Sequence, residues 1–241
     1  MRQIIKKIYD TLLRSYGCQG WYPLTELGNT TPVNITKSGS LSGYHPNDYS
    51  YPKTDNQRFE VCIGAIITQN TSWLSVEKAL LNLKKLGALN AGKMNELELS
   101  KLEEAIKPAG YFRQKAKKLK EFTRFYLSLK GRTPAREELL SVWGVGPETA
   151  DSMLLYAFKV PSFVVDAYTR RIFANLGFVK EKASYDEIKE LFEANLQPPD
   201  LVVYQEYHAL LVEHAKRYYT KKEDYQKCPL YRIIKKFSKR E

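Results

Sequence analysis

Cysteine is scarce in this sequence of 241 residues, which contains three: Cys18, Cys62 and Cys228. They are too few and too far apart for a disulfide framework, a CxxC redox pair or a zinc ribbon. We therefore expect reduced thiols.

Long apolar runs are also missing. No stretch approaches the roughly 18 uninterrupted apolar residues that a membrane span requires. Residues 1–17 have the pattern of an amphipathic helix, without the apolar core of a signal peptide. Extended patterns are confined to short pieces such as 163–165, which is too little for a sheet. These absences argue against a membrane protein and a β-sheet core, and we expect a cytoplasmic protein.

Acidic residues are outnumbered, because 27 Asp and Glu face 38 Lys and Arg and leave a formal net charge of +11. A surplus of this size is typical of polyanion binding, since each cation that neutralises a phosphate releases a condensed counterion. A merely basic enzyme, a membrane-surface protein or a thermophile's charged surface would have a similar composition. The motifs have to decide between them.

Most of the chain has short amphipathic helical patterns separated by glycine and proline. After the first helix, residues 17–57 read as a long, aromatic-rich loop or insertion. Helical patterns follow over 59–70, 75–87, 95–106, 111–129, 136–144, 148–158, 168–177, 185–196 and 201–218. The spacing predicts an all-α fold in two lobes.

We expect three segments in this fold. Residues 1–57 pack with the C-terminal lobe, residues 58–165 form a helical barrel lobe, and residues 166–241 form the second lobe with a basic tail. Five cations crowd one predicted helix and are interpreted as a solvated face: Arg113, Lys115, Lys117, Lys118 and Lys120.

The most informative segment is LLSVWGVGPETADSMLLYA, residues 139–157, in which one helix ends at a Gly-Val-Gly-Pro turn and another begins at once. Gly144 and Gly146 permit backbone angles and a close approach that a Cβ would block, and Val145 anchors the turn in the core. The free N–H groups of the following helix could bind one phosphate. An ordinary turn between two helices would also explain a GxG of this kind.

Asp166 follows a short apolar run and directly precedes an arginine-rich helix, in FVVDAYTRRI. Aspartate is among the best helix N-caps, which is the simplest explanation of its position. Asp166 also follows Glu148 by 18 residues.

Together these blocks resemble the helix-hairpin-helix, Gly/Pro-Asp superfamily of DNA glycosylases, which includes endonuclease III, the mismatch adenine glycosylase and 8-oxoguanine glycosylase. FEVCIGAIITQNTSW and AGYFRQKAKKLKEF are similar to two further blocks of the family, so that the resemblance covers about residues 58–218. It implies an all-α fold with an active-site cleft between two lobes. Its implied partner is double-stranded DNA that contains damaged bases, in a nucleoid-associated enzyme.

The resemblance also implies roles for individual residues. Asp166 would activate water and stabilise the oxocarbenium-like sugar, while Gln69 and Asn70 would fill the DNA stack after the base is extruded. The DNA backbone would be bound by Gly144, Val145, Gly146, Thr149, Arg170 and Arg171. A monovalent cation, Na⁺ or K⁺, would lie on the backbone carbonyls of Leu140, Val142 and Val145.

Two departures from the family pattern narrow the expectation. Bifunctional members carry a lysine at the position of Glu148, and a carboxylate cannot form the Schiff base that this lysine forms with the sugar. Endonuclease III ends in four cysteines that hold a [4Fe–4S] cluster, whereas this segment keeps Cys228 alone, with Tyr219 near the place of the first ligand. We expect little or no strand cleavage, no iron–sulfur cluster and no required cofactor.

Aromatic residues complete the resemblance to the 3-methyladenine DNA glycosylase III branch, in which they would form the pocket for the base. The candidates are Trp21, Tyr22, Pro23 and Trp73. A base methylated on a ring nitrogen is cationic, and an aromatic pocket attracts it by stacking and by cation–π terms of about 0.5–2 kcal/mol each.

The sequence thus predicts a monomeric, monofunctional glycosylase for alkylated purines. A glycosylase for another lesion, oxidised or mismatched, and a non-catalytic DNA-binding module remain open. A basic helical scaffold for protein partners is disfavoured by the hairpin glycines. No role follows from the sequence for Cys62, His45, His208 and His214.

Overall fold

The computed structural model describes residues 1–28, 42–219 and 227–237 of the chain. Within these ranges all regular structure is helical, which confirms the predicted all-α class. No helix in these ranges combines the length and the apolar character needed to cross a membrane. The helices are α1 (Arg2–Tyr16), α2 (Asp55–Ile67), α3 (Trp73–Lys85), α4 (Ala91–Glu96), α5 (Leu99–Ile106), α6 (Phe112–Ser128), α7 (Arg136–Ser141), α8 (Pro147–Ser152), α9 (Ala167–Asn175), α10 (Tyr185–Asn195), α11 (Leu201–Tyr218) and α12 (Pro229–Phe237).

Helix α1, at the start of the chain, packs against helices from its C-terminal part. Its apolar stripe includes Ile5, Ile8 and Leu12, which are buried, and the helix packs against α10, α11 and α12. The hydroxyl of Tyr207 on α11 donates a hydrogen bond of 2.9 Å to the carbonyl of Ile5. Helix α1 therefore packs with the C-terminal helices, on the side of α9 to α12.

Helix α2 lies at the centre of the other group of helices, α2 to α8. Thr54 and Gln57 form a capping box at its start, in which each side chain accepts a hydrogen bond from the backbone N–H of the other residue. Every residue from Phe59 to Ile67 is buried, and α2 contacts α3, α6 and a π-helical segment, Met153–Ala157, that continues α8. This segment also contacts α11, so it connects the two groups of helices.

One predicted helix is wrong in its extent, because residues 95–106 contain the end of α4 and all of α5. The ammonium group of Lys120 donates to the carbonyl oxygens of Met94, Asn95 and Leu97 at the break. These bonds satisfy carbonyls that a continuous helix would have used internally. The interpretation of Lys120 as part of a solvated face is therefore also wrong.

Lys115 was also predicted to lie on the solvated face, and this prediction is wrong. Its side chain is buried, and its ammonium group donates to the carbonyl of Ala109 at 2.8 Å. Burial, followed by the charge of Lys118, lowers the pKa of Lys115 to about 8. These two lysines stabilise the fold and leave fewer cations on this helix for a polyanion.

The predicted aromatic loop has two described parts, 17–28 and 42–54, and its residues 29–41 lie outside the described ranges. The two parts are joined by backbone hydrogen bonds, from Leu24 to Gly43 at 2.9 Å and from His45 to Gly20 at 3.1 Å. Both ring nitrogens of His45 also lie near carbonyl oxygens, that of Tyr22 at 3.0 Å and that of Asp48 at 2.8 Å. His45 thus holds the segment that carries Tyr22.

Residues 229–237 form a helix, where the sequence pattern predicted only a basic tail. Helix α12 begins at Pro229, which suits a first helical position. Cys228 directly before it is buried, with its Sγ 3.7 Å from the hydroxyl of Tyr219. The tail after residue 237 lies outside the described ranges.

Candidate active site

The hairpin between α7 and α8 has the predicted form. Gly144 adopts φ +87°, a left-handed angle that a side chain rarely takes, and Val145 is buried. The N–H of Val145 donates to the carbonyl of Val142 at 3.0 Å, and Gly146 forms the N-cap of α8. The carbonyls of Leu140, Val142 and Val145 remain a predicted cation site.

The two hairpin glycines differ in what requires them. A Cβ on Gly144 would lie 2.5 Å from Cγ of Lys118, whereas a Cβ on Gly146 would have no neighbour within 4 Å. Gly146 also has an ordinary backbone angle, φ −96°. The expectation of a special backbone angle and a blocked Cβ is therefore confirmed for Gly144. For Gly146 the described residues show neither, and the close approach of a DNA phosphate stays a prediction.

Gln69, at the end of α2, is attached to this hairpin. Its amide nitrogen donates to the carbonyl of Gly144 at 2.9 Å and to the hydroxyl of Thr149 at 3.1 Å, and its amide oxygen accepts from Lys118 at 2.6 Å. Asn70 follows in a left-handed conformation with φ +53°. The structure thus brings together three predicted DNA-contacting residues: Gln69, Asn70 and Thr149 all line one cleft.

This cleft has a volume of about 840 Å³ and lies between the two groups of helices. Its walls are the start of the aromatic loop, the turn from α2 to α3, the starts of α8 and α9, and one face of α11. The lining residues include Trp21, Tyr22, Gln69, Asn70, Trp73, Gly146, Glu148, Thr149, Asp166, Arg171, Tyr185, His208 and Lys216.

Asp166 is the N-cap of α9 and also faces the cleft. Its Oδ1 accepts a hydrogen bond of 2.7 Å from the backbone N–H of Thr169. Its Oδ2 lies 3.9 Å from Nε2 of His208, and the side chain is 13% accessible. The helix cap fixes the carboxylate through Oδ1 and leaves Oδ2 toward the cleft. A role as N-cap and a role in the cleft are therefore compatible for this residue.

Glu148 provides a second carboxyl in the same cleft. The residue is exposed by accessible surface and also lines the cleft, so neighbouring residues surround its carboxyl on one side only. This partial desolvation, followed by repulsion from the charge of Asp166, raises the pKa of Glu148 to about 7. Glu148 can therefore hold a proton near neutral pH.

Three of the four predicted pocket residues, all of them aromatic, line the cleft. The rings of Tyr22 and Trp73 meet edge to face, with centroids 4.8 Å apart and an interplanar angle of 78°, and Trp21 contacts Tyr22 at 6.0 Å. Pro23 is buried and is not among the lining residues. Because the two rings are perpendicular, they form a corner and not a parallel sandwich.

The predicted phosphate contacts on α9 make internal hydrogen bonds. Arg170 donates to the carbonyl of Ala183, and it does not line the cleft. Arg171 lines the cleft and donates to the carbonyl of Tyr219 at 3.0 Å. Arg171 is exposed, so it is the better placed of the two to meet a ligand in the cleft.

Helix α11 provides a wall of the cleft for which the sequence predicted no role. His208, Val212 and Lys216 lie four residues apart and line the cleft from one helix face. Burial lowers the pKa of Lys216, against the opposing charges of Glu213 and Asp166. The helical spacing of these residues was visible in the sequence, but nothing there showed which face of the helix turns toward Asp166.

The other residues without a predicted role pack inside the fold. Cys62 is fully buried on α2. His214 is buried on α11, with its Nδ1 2.8 Å from the hydroxyl of Tyr16, and burial, followed by the charge of Arg217, lowers its pKa to about 3. No group of three or more His, Cys, Asp or Glu residues is placed to hold a metal ion in the described part of the chain.

A helical hairpin beside a cleft that holds an acidic side chain is the architecture of helix-hairpin-helix DNA repair proteins. The family described as "HhH-GPD superfamily base excision DNA repair protein" matches residues 63–198, more than half of the chain. The chain belongs to this superfamily of DNA glycosylases, as its motifs predicted.

Individual relatives agree with this assignment. The chain is 44% identical to "Putative DNA repair glycosylase MJ1434" of Methanocaldococcus jannaschii, over 95% of this chain and 94% of the relative. It is 27% identical to a 3-methyladenine DNA glycosylase of Helicobacter pylori whose structure contains 1,N6-ethenoadenine, with a TM-score of 0.66 over 88% of this chain and 97% of that chain. An endonuclease III–DNA complex shares the fold, with a TM-score of 0.71 at 19% identity over 100% and 98% of the two chains.

Proposed function

We propose that the protein is a monofunctional glycosylase that hydrolyses the N-glycosidic bond of alkylated purines, of the 3-methyladenine type, in duplex DNA. The observation that carries this proposal is the cleft in which Asp166 and Glu148 face an aromatic corner and in which a carboxyl occupies the position of the lyase lysine. The H. pylori 3-methyladenine DNA glycosylase has a similar structure, which supports the same substrate class.

The chemistry follows from the charge of the substrate. A base methylated on a ring nitrogen carries a positive charge, so it leaves without needing a proton from the protein. The rings of Trp21, Tyr22 and Trp73 offer faces that attract a cation. The side chain of Asp166 stabilises the positive sugar that develops as the bond breaks, and a fixed carboxylate in a partly dry cleft does so more strongly than one in water.

DNA would approach from the side of the hairpin. The open space around Gly146 would admit a phosphate to the N–H groups at the start of α8. Gln69 and Asn70 would fill the stack that the extruded base leaves. For this, Gln69 exchanges its hydrogen bonds with the hairpin for contacts with the bases.

The proposal includes the remaining expectations for the protein. It works as a monomer, because the cleft is formed by helices of one chain. It needs no iron–sulfur cluster, because Cys228 is the one cysteine near the place of the family's four ligands. A monovalent cation on the hairpin carbonyls would orient the hairpin without taking part in the reaction.

The direct test measures the free base released from duplexes that each carry one defined lesion. We expect release of 3-methyladenine or 7-methylguanine, and less from duplexes with 8-oxoguanine or a G·T mismatch. Release of only an oxidised or mismatched base would assign the protein to the other lesion class, and no release of any base would favour the non-catalytic module.

Borohydride trapping tests the monofunctional part separately. Glu148 cannot form an imine, and Lys216 is the lysine that lines the cleft in the described part of the chain. We expect no covalent protein–DNA complex after reduction. A trapped complex that disappears in Lys216→Met would show that this amine acts as a lyase nucleophile and that the protein is bifunctional.

The hairpin glycines give a further prediction. Gly144→Ala should lower the free energy of unfolding by about 1–3 kcal/mol, because the left-handed angle strains alanine and its Cβ displaces Lys118. Gly146→Ala should change it by less than about 0.5 kcal/mol but weaken binding of a duplex that carries an abasic-site analogue. Urea unfolding and fluorescence anisotropy measure the two effects, and equal binding by Gly146→Ala and the wild type would contradict the close approach.

A further inference from the structure

A buried histidine beside Asp166 has no role in the mechanism described so far. His208 lies on α11 and is 5% exposed, and its Nε2 is 3.9 Å from Oδ2 of Asp166. This distance is too long for a hydrogen bond between the two atoms. The rings of Trp21 and His208 meet edge to face, with centroids 5.6 Å apart, which fixes the imidazole at the cleft wall.

The partners of the imidazole decide which nitrogen carries its proton. The Tyr156 hydroxyl is 3.0 Å from the carbonyl oxygen of Gln205 and 2.7 Å from Nδ1 of His208. A tyrosine hydroxyl has one hydrogen and a carbonyl can only accept, so Tyr156 donates to Gln205. Nδ1 of His208 then carries a hydrogen and donates to the Tyr156 oxygen.

Nε2 of His208 therefore carries no hydrogen, and its lone pair can accept a hydrogen bond from the side of the cleft. Burial lowers the pKa of His208 more than the charge of Asp166 raises it, which keeps the ring neutral. Oδ1 of Asp166 is taken by Thr169, so the oxygen turned toward the histidine is Oδ2. Two acceptors thus face each other in the cleft, with no hydrogen between them.

One molecule with two O–H donors satisfies both acceptors. Water at about 2.8 Å from each of two atoms 3.9 Å apart subtends an angle near 90° at its oxygen, which is an ordinary bridging geometry. A site with polar partners on a cleft of this volume has room for it. The base pocket aromatics lie on the same cleft, so this water would be next to the sugar of an extruded nucleotide.

We propose that Nε2 of His208 and Oδ2 of Asp166 together hold the water molecule that attacks the sugar. This inference rests on the proposed function. As the bond from C1′ to the base nitrogen breaks, its electron pair leaves with the cationic base, which becomes neutral. The water oxygen bonds to C1′, one of its protons passes to Asp166, and the other stays on the new hydroxyl, which still donates to His208.

The test compares three proteins by single-turnover release of whichever base the wild type removes fastest. His208→Phe keeps an aromatic ring but removes the acceptor, and it should slow release about 10–100-fold. His208→Gln keeps an acceptor in this region and should recover most of the rate. Affinity for a duplex with a tetrahydrofuran abasic analogue should stay within about twofold of the wild type for both variants.

Competition with methanol separates a water-holding role from a structural one. If His208 positions water, His208→Phe should form a several-fold larger share of methyl glycoside than the wild type does. Loss of stability alone would not change this share. The control is His214→Phe, which alters another buried histidine of α11 outside the cleft and should leave both rate and share unchanged.

A crystal structure of the free protein gives a measurement that needs no activity. It should show an ordered water within about 3 Å of both atoms in the wild type and none there in His208→Phe. An empty or differently filled position in the wild type would overturn the inference. So would a His208→Phe enzyme with wild-type rate and methanol share, or a His208→Gln enzyme no faster than His208→Phe. Absence of methylpurine release would instead count against the proposed substrate class alone.

Discussion

Asp166→Asn is expected to slow base release about a thousandfold, within the range of about 10²–10⁴ for removal of a positioned acid–base or charge-stabilising group. The amide has nearly the shape of the carboxylate, and asparagine is as good an N-cap as aspartate, so the bond from Thr169 and the start of α9 should persist. What is lost is the negative charge beside the sugar and the acceptor for the water proton. Single-turnover release of the preferred base measures the effect.

A matched control exists at the start of α11. Asp200 caps that helix in the same way, accepting the backbone N–H of Val203 at 3.0 Å, but it is exposed and does not line the cleft. Asp200→Asn makes the same chemical change and should keep the wild-type rate. If Asp166→Asn also keeps it, the carboxylate at the cleft is no more than a helix cap, and a catalytic role is ruled out.

The hairpin could be predicted from the sequence because its determinants are local. A left-handed Gly144, a buried Val145 and a proline at the start of α8 are all fixed by residues within a few positions of one another. The same is true of the cap at Asp166. In motifs of this kind the spacing of the residues determines the local backbone geometry. The hairpin and the cap predicted from the sequence are therefore the ones found in the structure.

The break between α4 and α5 could not be predicted in this way. No glycine or proline interrupts residues 95–106, so the sequence contains no local sign of a break. The helix ends because Lys120 comes from α6 to bind the carbonyls at residues 94–97. A contact over more than twenty residues of chain overrides the local pattern.

Long-range contacts likewise decide the details of the site. The amide of Gln69 is bound to Gly144 and Thr149, more than seventy residues away. His208 meets Asp166 because α9 packs against α11. The sequence names residues that are able to do chemistry, but the pairing of His208 with Asp166 depends on how helices pack, which single-chain patterns do not show.

Another carboxylate, Asp151 of α8, connects the hairpin to its surroundings and is fully buried. It accepts two hydrogen bonds from Arg136, at 2.9 and 3.1 Å, and one from Ser162 at 2.7 Å, and Lys189 lies 3.4 Å away. Burial alone would raise the pKa of Asp151, but the bonds from Arg136 and the charge of Lys189 outweigh it, so this pKa is lowered. The carboxylate thus holds α7, α8 and α10 together beneath the hairpin.

Asp151→Ala is expected to lower the free energy of unfolding by about 3–5 kcal/mol at neutral pH, because it leaves the partly buried Arg136 and Lys189 without their shared counter-charge. The control is Asp186→Ala, which removes a carboxylate that also contacts Arg136, at 3.3 Å, but is 76% exposed. Exposed pairs contribute about 0–1 kcal/mol, so this variant should unfold nearly as the wild type does. Urea unfolding compares the three proteins.

Acid provides the independent check on this clamp. Since the folded protein lowers the pKa of Asp151, its contribution is complete above the pKa of an unfolded aspartate, about 3.9, and is lost as the pH falls through the lowered value. The stability difference between the wild type and Asp151→Ala should therefore shrink in acid and stay constant between about pH 5 and about pH 8. A difference that is the same at every pH would show that the lost packing of the side chain, and not its charge, holds the hairpin helices together. If Asp151→Ala does not fold, Asp151→Asn can replace it, because asparagine keeps the shape of the side chain. Its free energy of unfolding should fall less than that of Asp151→Ala, and it should depend less on acid than that of the wild type does.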